Sequence, residues 1–475
     1  MSNVSITFLG GAETVTGSRF LVESSDAKVL IDAGLFQGLK ELRLKNWDEF
    51  PVDTSTIDAV VLTHAHLDHC GYLPLLVKQG YKNPVYLTSN TAKLAKVIMQ
   101  DSARIQVEDA KYASKKGYSK HSSPLPLYTE DDVNKTITKF RSILFREKTK
   151  IARNTYVTLF PAGHILGAAF VLLEISGEKL LFTGDLGRNQ HPILIAPDPF
   201  PTENISALIS ESTYGARVHE SPSSAFTDAI NKTIDRGGSV LIPAFAVDRT
   251  EVILMKLREL MEQKLIPKVP VFVDSPMALT SLGHYRNAIQ NADLEVRPDF
   301  VARYANQDPF GPDTLQEMRS IEESKKLNNP KNSCIIVSAS GMGTGGRVVH
   351  HLKQMLPNPL HTVLLVGYQA IGTRGHALEN GAEKIKMHGE LVDVRASIIK
   401  IEGFSVHADG SELIEWFRKV KKPNQIFLVH GEIESASIFA QRLEIELKWD
   451  PVIPEPFKKY EIASKAQEVS PAYDI

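Results

Sequence analysis

In "VVLTHAHLDHCGYLPLL", residues 60–76, an apolar run ends in His64, His66, Asp68 and His69, three imidazoles and a carboxylate within six positions. The chain holds only 15 histidines, and packing gives no reason to gather four such groups. One histidine at the end of a strand often does no more than hydrogen-bond the backbone. The HxHxDH spacing instead points to metal, since neutral imidazole and carboxylate are ligands that suit zinc.

One loop cannot close a catalytic site, so partners are expected at other strand ends. His164 sits between glycines in "PAGHILG", Asp185 follows the apolar run in "KLLFTGD", and His430 ends another in "FLVHGE". Singly, each is as readily structural. With the loop they make seven ligands, His64, His66, Asp68, His69, His164, Asp185 and His430, enough for two metal ions. Asp32, in "KVLIDAG", is placed to stand behind the ligands and orient one of them or the loop. Cys70 reads as a small buried thiol.

The elements that would carry these groups are short Val-, Ile- and Leu-rich runs, among them "KVLIDAG", "IDAVVLTH", "ISALISEST", "GSVLIPAF", "SCIIVSASG" and "NQIFLVHGE". Their hydrophobicity is continuous rather than alternating, the pattern of strands covered on both faces. Between them lie helical patterns, one over 91–116 and one opened by Asp248 as N-cap, with Ile253, Leu257, Leu260 and Met261 on one stripe. Strands alternating with helices make an α/β protein, with chemistry at the strand ends. A length of 475 residues suits two or three domains.

Composition narrows the class further. A formal charge of −2 means that affinity for nucleic acid must come from local basic surface. Two cysteines, Cys70 and Cys334, exclude a disulfide scaffold and suit a reducing cytosol. The N-terminus lacks a signal-peptide pattern, and no apolar run approaches the roughly 18 residues of a spanning helix. A cytoplasmic protein without a membrane partner is expected.

Asp32, the His64–His69 loop, His164 and Asp185 resemble motifs one to four of the metallo-β-lactamase superfamily. Glu211 in "ISEST", His407 in "GFSVHADG" and His430 resemble motifs A, B and C of its β-CASP branch, which processes nucleic acid. "IPAFAVDRTEVIL", "VDSPMA", "VSASGMGTGGR" and "GYQAIGTRGHAL" resemble the inserted β-CASP domain. The likeness spans the chain and is greatest to the nuclease subunit of the cleavage and polyadenylation factor and its prokaryotic relatives. Counterparts of the archaeal KH domain and of the extra C-terminal domain of RNase J proteins are not expected.

The resemblance implies a metallo-β-lactamase αββα sandwich from 1–208 and 400–475, with a β-CASP α/β domain, 209–399, inserted. It implies two zinc ions per chain: His64, His66 and His164 on one, Asp68, His69 and His430 on the other, Asp185 and a water bridging. Metal-bound hydroxide would attack phosphorus without a covalent enzyme intermediate. His407 would protonate the departing 3′-oxygen, held by Glu211. The implied activity is endonucleolytic hydrolysis of single-stranded RNA in a cleft between the domains, with homodimerisation common in the family. The alternatives are 5′-to-3′ exonuclease action at the same site, a small-molecule metallo-hydrolase, and a catalytically dead RNA-binding scaffold. DNA-processing relatives carry another residue in place of the motif C histidine.

Further substrate contacts are expected in the glycine-rich segment 338–347, whose backbone could cradle an anion or serve a sharp turn. Ser338, Ser340 and Arg347 are its candidate phosphate contacts, with Arg374 and His376 nearby in sequence. The basic, aromatic-bearing segments 111–121 and 139–153 would add positive surface if they lined the cleft.

Overall fold

The structure, a computed structural model, describes residues 4–116, 124–202, 204–219, 224–328, 330, 332–418 and 420–462. Two sheets stack in the first unit. One has seven strands, with Ser5–Gly10, Arg19–Glu23, Lys28–Ile31, Ala59–Val61 and Val85–Leu87 in sequence order and Lys459–Glu461 and Phe140–Ser142 at its edges. The other has six, running Gln425–Val429, Ala207–Glu211, Glu178–Phe182, Ala169–Ile175, Thr155–Pro161 and Thr149–Ala152.

Alternate side chains explain why the strands read as continuously apolar. Ile6, Phe8, Phe20, Val22 and Ile31 meet Val171, Leu173, Phe182, Ile209 and Phe427 between the sheets. Their neighbours, Leu21, Leu30, Val60, Leu172, Leu181 and Leu208, face outward into the helix-covered core. Each fully buried Leu, Val or Phe contributes about 1.5–3 kcal/mol, so both faces hold the sandwich together.

The inserted unit is a six-stranded, wholly parallel sheet in the order Leu315–Glu317, Val271–Val273, Ile335–Ser338, Val240–Pro243, Thr362–Leu365, Ser397–Lys400. Helices on both faces follow from its connections, among them Arg249–Glu262, Pro276–Gln290 and Arg347–Met355. The helix expected from Asp248 is Arg249–Glu262, with Ile253, Leu257, Leu260 and Met261 buried. Asp248 itself makes no capping hydrogen bond. Its carboxylate is taken by Tyr285 Oη at 2.8 Å and His191 Nε2 at 3.0 Å. The other expected helix is Ser89–Lys116.

The chain leaves the first unit after Ala207–Glu211, a strand that runs through residue 208, and returns to pair Gln425–Val429 parallel beside it, Glu211 opposite Val429. That return brings the C-terminal residues to a rim already carrying the N-terminal ones. Among the described residues no helix is long and apolar enough to cross a membrane.

Candidate active site

The strand Ala59–Val61 ends at the rim, and His64 and His66 follow it. Asp68 and His69 ride on a helical turn, Leu67–Cys70, where a plain loop was expected. Backbone bonds pin that turn: Ser18 N to Asp68 O at 2.9 Å and Ala33 N to His69 O at 2.7 Å. Cys70 is buried, and its thiol donates to Ala65 O. Asp32 and His430 both leave their strands in the left-handed region, with φ of 58° and 47°, a conformation uncommon outside glycine.

His164 lies between Gly163 and Gly167, at φ of 64° and 89°. A Cβ on Gly163 would stand 2.6 Å from Ile195 O, and one on Gly167 2.3 Å from Thr91 N. The inserted unit braces this loop. Leu166 N donates to Tyr285 Oη at 3.0 Å, and Gly167 N to Glu295, which also takes Asn90 Nδ2 at 2.8 Å.

All seven expected ligands converge. His64 Nε2 and His164 Nε2 stand 3.1 and 3.3 Å from His66 Nδ1, and 3.4 and 3.6 Å from Asp185 Oδ2. On the other side His69 Nε2 and His430 Nε2 stand 3.3 and 3.5 Å from Asp185 Oδ1, and Asp68 Oδ2 lies 3.9 Å from His430 Nε2. The two oxygens of Asp185 thus face two separate ligand sets.

The residues fit metal ions. A tetrahedral zinc with Zn–N of about 2.0–2.1 Å puts its ligand atoms about 3.3 Å apart. His69 Nε2 and Asp185 Oδ1 are buried without a hydrogen-bond partner. Burial, more than any neighbour, lowers the pKa of His66, His164 and His430 and keeps them as neutral ligands. Burial also opposes charge on His69, but Asp185 and Asp32 outweigh it and raise its pKa, so this position calls for positive charge. Burial would raise Asp185, yet His430, His69, His64 and His407 hold it well below the carboxylate range.

Tautomers follow from the groups behind the ligands. Asp32 is fully buried and can only accept, taking Thr63 N, Thr63 Oγ1 and His69 Nδ1, each at 2.8 Å. Thr63 spends its one hydroxyl proton on Asp32, so its oxygen accepts from His64 Nδ1 at 3.0 Å. Both Nε2 lone pairs are thereby freed for metal, and Asp32 orients one ligand of each set. Ser18 Oγ, 2.9 Å from His430 Nδ1, completes the arrangement.

Glu211 and His407 stand beside the ligands. Glu211 Oε2 accepts from His407 Nδ1 at 3.2 Å and Thr213 Oγ1 at 2.7 Å, and Oε1 from Leu186 N. His407 is held to the first unit by a bridge to Gly187 and by Ala408 N donating to Leu186 O at 2.7 Å. Its ring lies 3.9 Å from Asp185 Oδ2. Burial lowers its pKa, but Glu211 and Asp185 outweigh that and raise it, favouring imidazolium.

These groups open onto a cleft of about 330 Å³ between the units. One wall is the helix Ser89–Lys116; the other is the C-terminal edge of the parallel sheet, where open α/β sheets bind ligands. Ser340 and Arg347 are among its lining residues. Arg347 is engaged, however, by Asp274 Oδ1 at 2.6 Å and Met318 O at 2.9 Å. The structure does not bring Ser338, Arg374 or His376 to the lining. Ser338 is buried and donates to Asp274 O, while Arg374 donates to Gly343 O, Thr344 O and Lys386 O, bracing the glycine-rich segment. His376 is half-buried in the short helix Arg374–Glu379.

Residues 139–153 form edge strands away from the cleft, with Arg146 on Asp198 and Lys148 on Glu174. Of 111–121, residues 117–121 lie outside the described residues, and Lys111 and Lys115 are exposed on the helix. Thr63, Ser18, Thr213, Tyr285 and Glu295 were not singled out from sequence. Only Thr63 carried a signal, its place directly before His64.

Comparison with known proteins agrees with this geometry. Family models match for the metallo-beta-lactamase superfamily at residues 14–218, the Beta-Casp domain at 250–378, and a Zn-dependent metallo-hydrolase RNA specificity domain at 391–454. Ribonuclease TTHA0252 of Thermus thermophilus is 34% identical over 90% of this chain and 92% of its own. An RNase J-like protein of Methanocaldococcus jannaschii is 31% identical over 95% and 98%. Transcription termination factor FttA of Methanosarcina mazei is 32% identical over 94% of this chain and 70% of its own. A solved Enterococcus faecalis protein of unknown function shares the fold, at TM-score 0.52 and 14% identity, covering 97% of this chain and 100% of that one.

Proposed function

The chain belongs to the β-CASP branch of the metallo-β-lactamase superfamily, and from that premise we propose that it is a metal-dependent ribonuclease, using two zinc ions to cut single-stranded RNA endonucleolytically. The observation that carries this reading is the meeting of seven ligands and the Glu211–His407 pair in one cleft. The names of the ribonuclease relatives support RNA as substrate. The small-molecule alternative is disfavoured because the inserted unit builds a whole cleft wall.

His64, His66, His164 and Asp185 would hold one ion; Asp68, His69, His430 and the other oxygen of Asp185 would hold the second. Ions bound there supply Lewis-acid activation of water and neutralise charge at the phosphate. The chain's own residues do the rest. Asp32 and Thr63 fix the tautomers of His69 and His64, and Ser18 orients the ring of His430. Glu211 holds His407 Nδ1, leaving Nε2 to deliver a proton to the departing 3′-oxygen. The extended cleft favours an unpaired strand.

The test is incubation of purified protein with internally and 5′-labelled RNA, DNA and a β-lactam, beside a His64→Ala/Asp68→Ala variant. Internal RNA fragments from wild type alone are expected. RNA cleavage that survives in the double variant would sink the two-metal reading, mononucleotides released from the 5′ end would replace endo- with exonuclease action, and lactam turnover with RNA intact would move the assignment to the hydrolases.

A further inference from the structure

Three arginines line the cleft, Arg104, Arg249 and Arg347. Arg104 is paired with Asp101 and Glu108, at 2.5 and 3.1 Å, and Arg347 with Asp274. Arg249 differs. It is only 5% exposed, yet among the described residues no carboxylate pairs with it. Its hydrogen bond is from Nη1 to Val366 O at 2.7 Å, and its Nε is buried without a partner.

The carboxylates nearest in sequence take no hydrogen bond from it. Asp248 lies close enough for its charge to favour the guanidinium, but it accepts its hydrogen bonds from Tyr285 and His191 and none from Arg249. Glu251 is fully buried without a partner, and burial pushes its pKa well above the carboxylate range, so it brings no charge. Arg249 also opens the helix Arg249–Glu262, the end where the helix dipole disfavours a cation. A buried, unpaired guanidinium is among the costliest arrangements a fold can keep.

Its surroundings explain the retention. A Cβ on Gly367 would lie 3.7 Å from the ring of Phe245 and 4.0 Å from Arg249 Cζ, so the guanidinium and that ring share one patch of the wall. The Phe245 ring in turn lies 6.1 Å from that of His66. We propose that Arg249 is the anion-binding residue of the cleft, its charge left open to take a phosphodiester oxygen of the RNA strand next to the metal centre. The inference rests on the ribonuclease reading and adds a binding residue to it. Positive charge then comes to the substrate from inside the wall, in a chain whose net charge is −2.

The metal-loaded protein tests this with an unstructured, labelled RNA oligonucleotide, as wild type, R249M and R249K. Loss of one phosphate contact should lower the slope of log affinity against log salt by about 0.7 for a single strand. R249M should therefore show that smaller slope and a KM raised on the order of tenfold or more, with kcat little changed. R249K should keep the wild-type slope. In the absence of RNA, R249M should melt at or near the wild-type temperature, since removing an unpaired buried charge offsets the donor lost by Val366 O. An unchanged salt slope in R249M overturns the proposal. So does a large fall in its melting temperature, with R249K likewise destabilised, which would make the role structural. Wild type that neither binds nor cuts RNA would instead overturn the ribonuclease reading.

Discussion

Replacing Asp32 with Asn changes one atom in a fully buried side chain, and the structure says which ligands should notice. Oδ1 accepts only Thr63 N, and an amide oxygen can keep that bond. Oδ2 accepts both Thr63 Oγ1 and His69 Nδ1, and an amide NH₂ placed there confronts two donors. His69 must then give up its Nδ1 proton, which places it on Nε2, the atom meant for metal. Thr63 must turn its hydroxyl toward His64 Nδ1, with the same result at the other ligand set. Losing such a supporting partner typically weakens metal binding 10–100-fold, about 1.4–2.7 kcal/mol per ion. Asp32→Asn should weaken both sites by that amount. Thr63→Val should weaken only the site of His64, and Ser18→Ala only that of His430. Titration of stripped protein with zinc against a competing chelator resolves two affinities per variant. The reasoning is refuted if Asp32→Asn binds both ions like wild type, or if Thr63→Val weakens both alike.

Three further outcomes follow. His407→Ala should retain its metal on elemental analysis yet lose about 10²–10⁴-fold in kcat, while Glu211→Gln should move the alkaline limb of the pH–rate profile to lower pH, because Glu211 raises the pKa of the acid. Chelation should lower the melting temperature reversibly, since it strands His69 Nε2 and Asp185 Oδ1; metal at about 100 times its Kd should restore about 2.7 kcal/mol, as thermal melts can read. Glu295 is pushed up to about 8 by burial, with Asp293 adding to the rise. The folded state keeps its proton where the unfolded chain has lost it, so its contribution to stability is full below about pH 4.5 and is lost as pH rises to about 8. Glu295→Gln, with Asn90 turned to accept, should flatten that dependence in melts taken from pH 5 to 9.

Strands and metal ligands were legible in the sequence for one physical reason. A strand covered on both faces has no cause to carry a polar group, so Asp32, His64, Asp185 and His430 stand out where each apolar run stops. What surrounds the ligands was not legible. Tyr285 and Glu295 act on Leu166 and Gly167, more than a hundred residues away, through contacts that exist only once the inserted unit has docked. Asp248 has the residue type and place of a helix cap, yet His191 and Tyr285 bind it more usefully. Ser338 misled because spacing does not reveal which way a hydroxyl points, and this one points into the sheet. Arg249 was passed over because an arginine opening an amphipathic helix reads as surface.

The parallel pairing of Gln425–Val429 with Ala207–Glu211 has a consequence in time. Protein synthesis makes His64 to His69 early and His430 roughly 360 residues later, an interval of about 20–70 s at ordinary elongation rates. Until residue 407 is made the nascent chain lacks the proton donor, and until residue 430 it lacks the last ligand of the second set. A ribosome-bound copy, tethered to its own message, is therefore inert toward that message until Gln425–Val429 has slotted in.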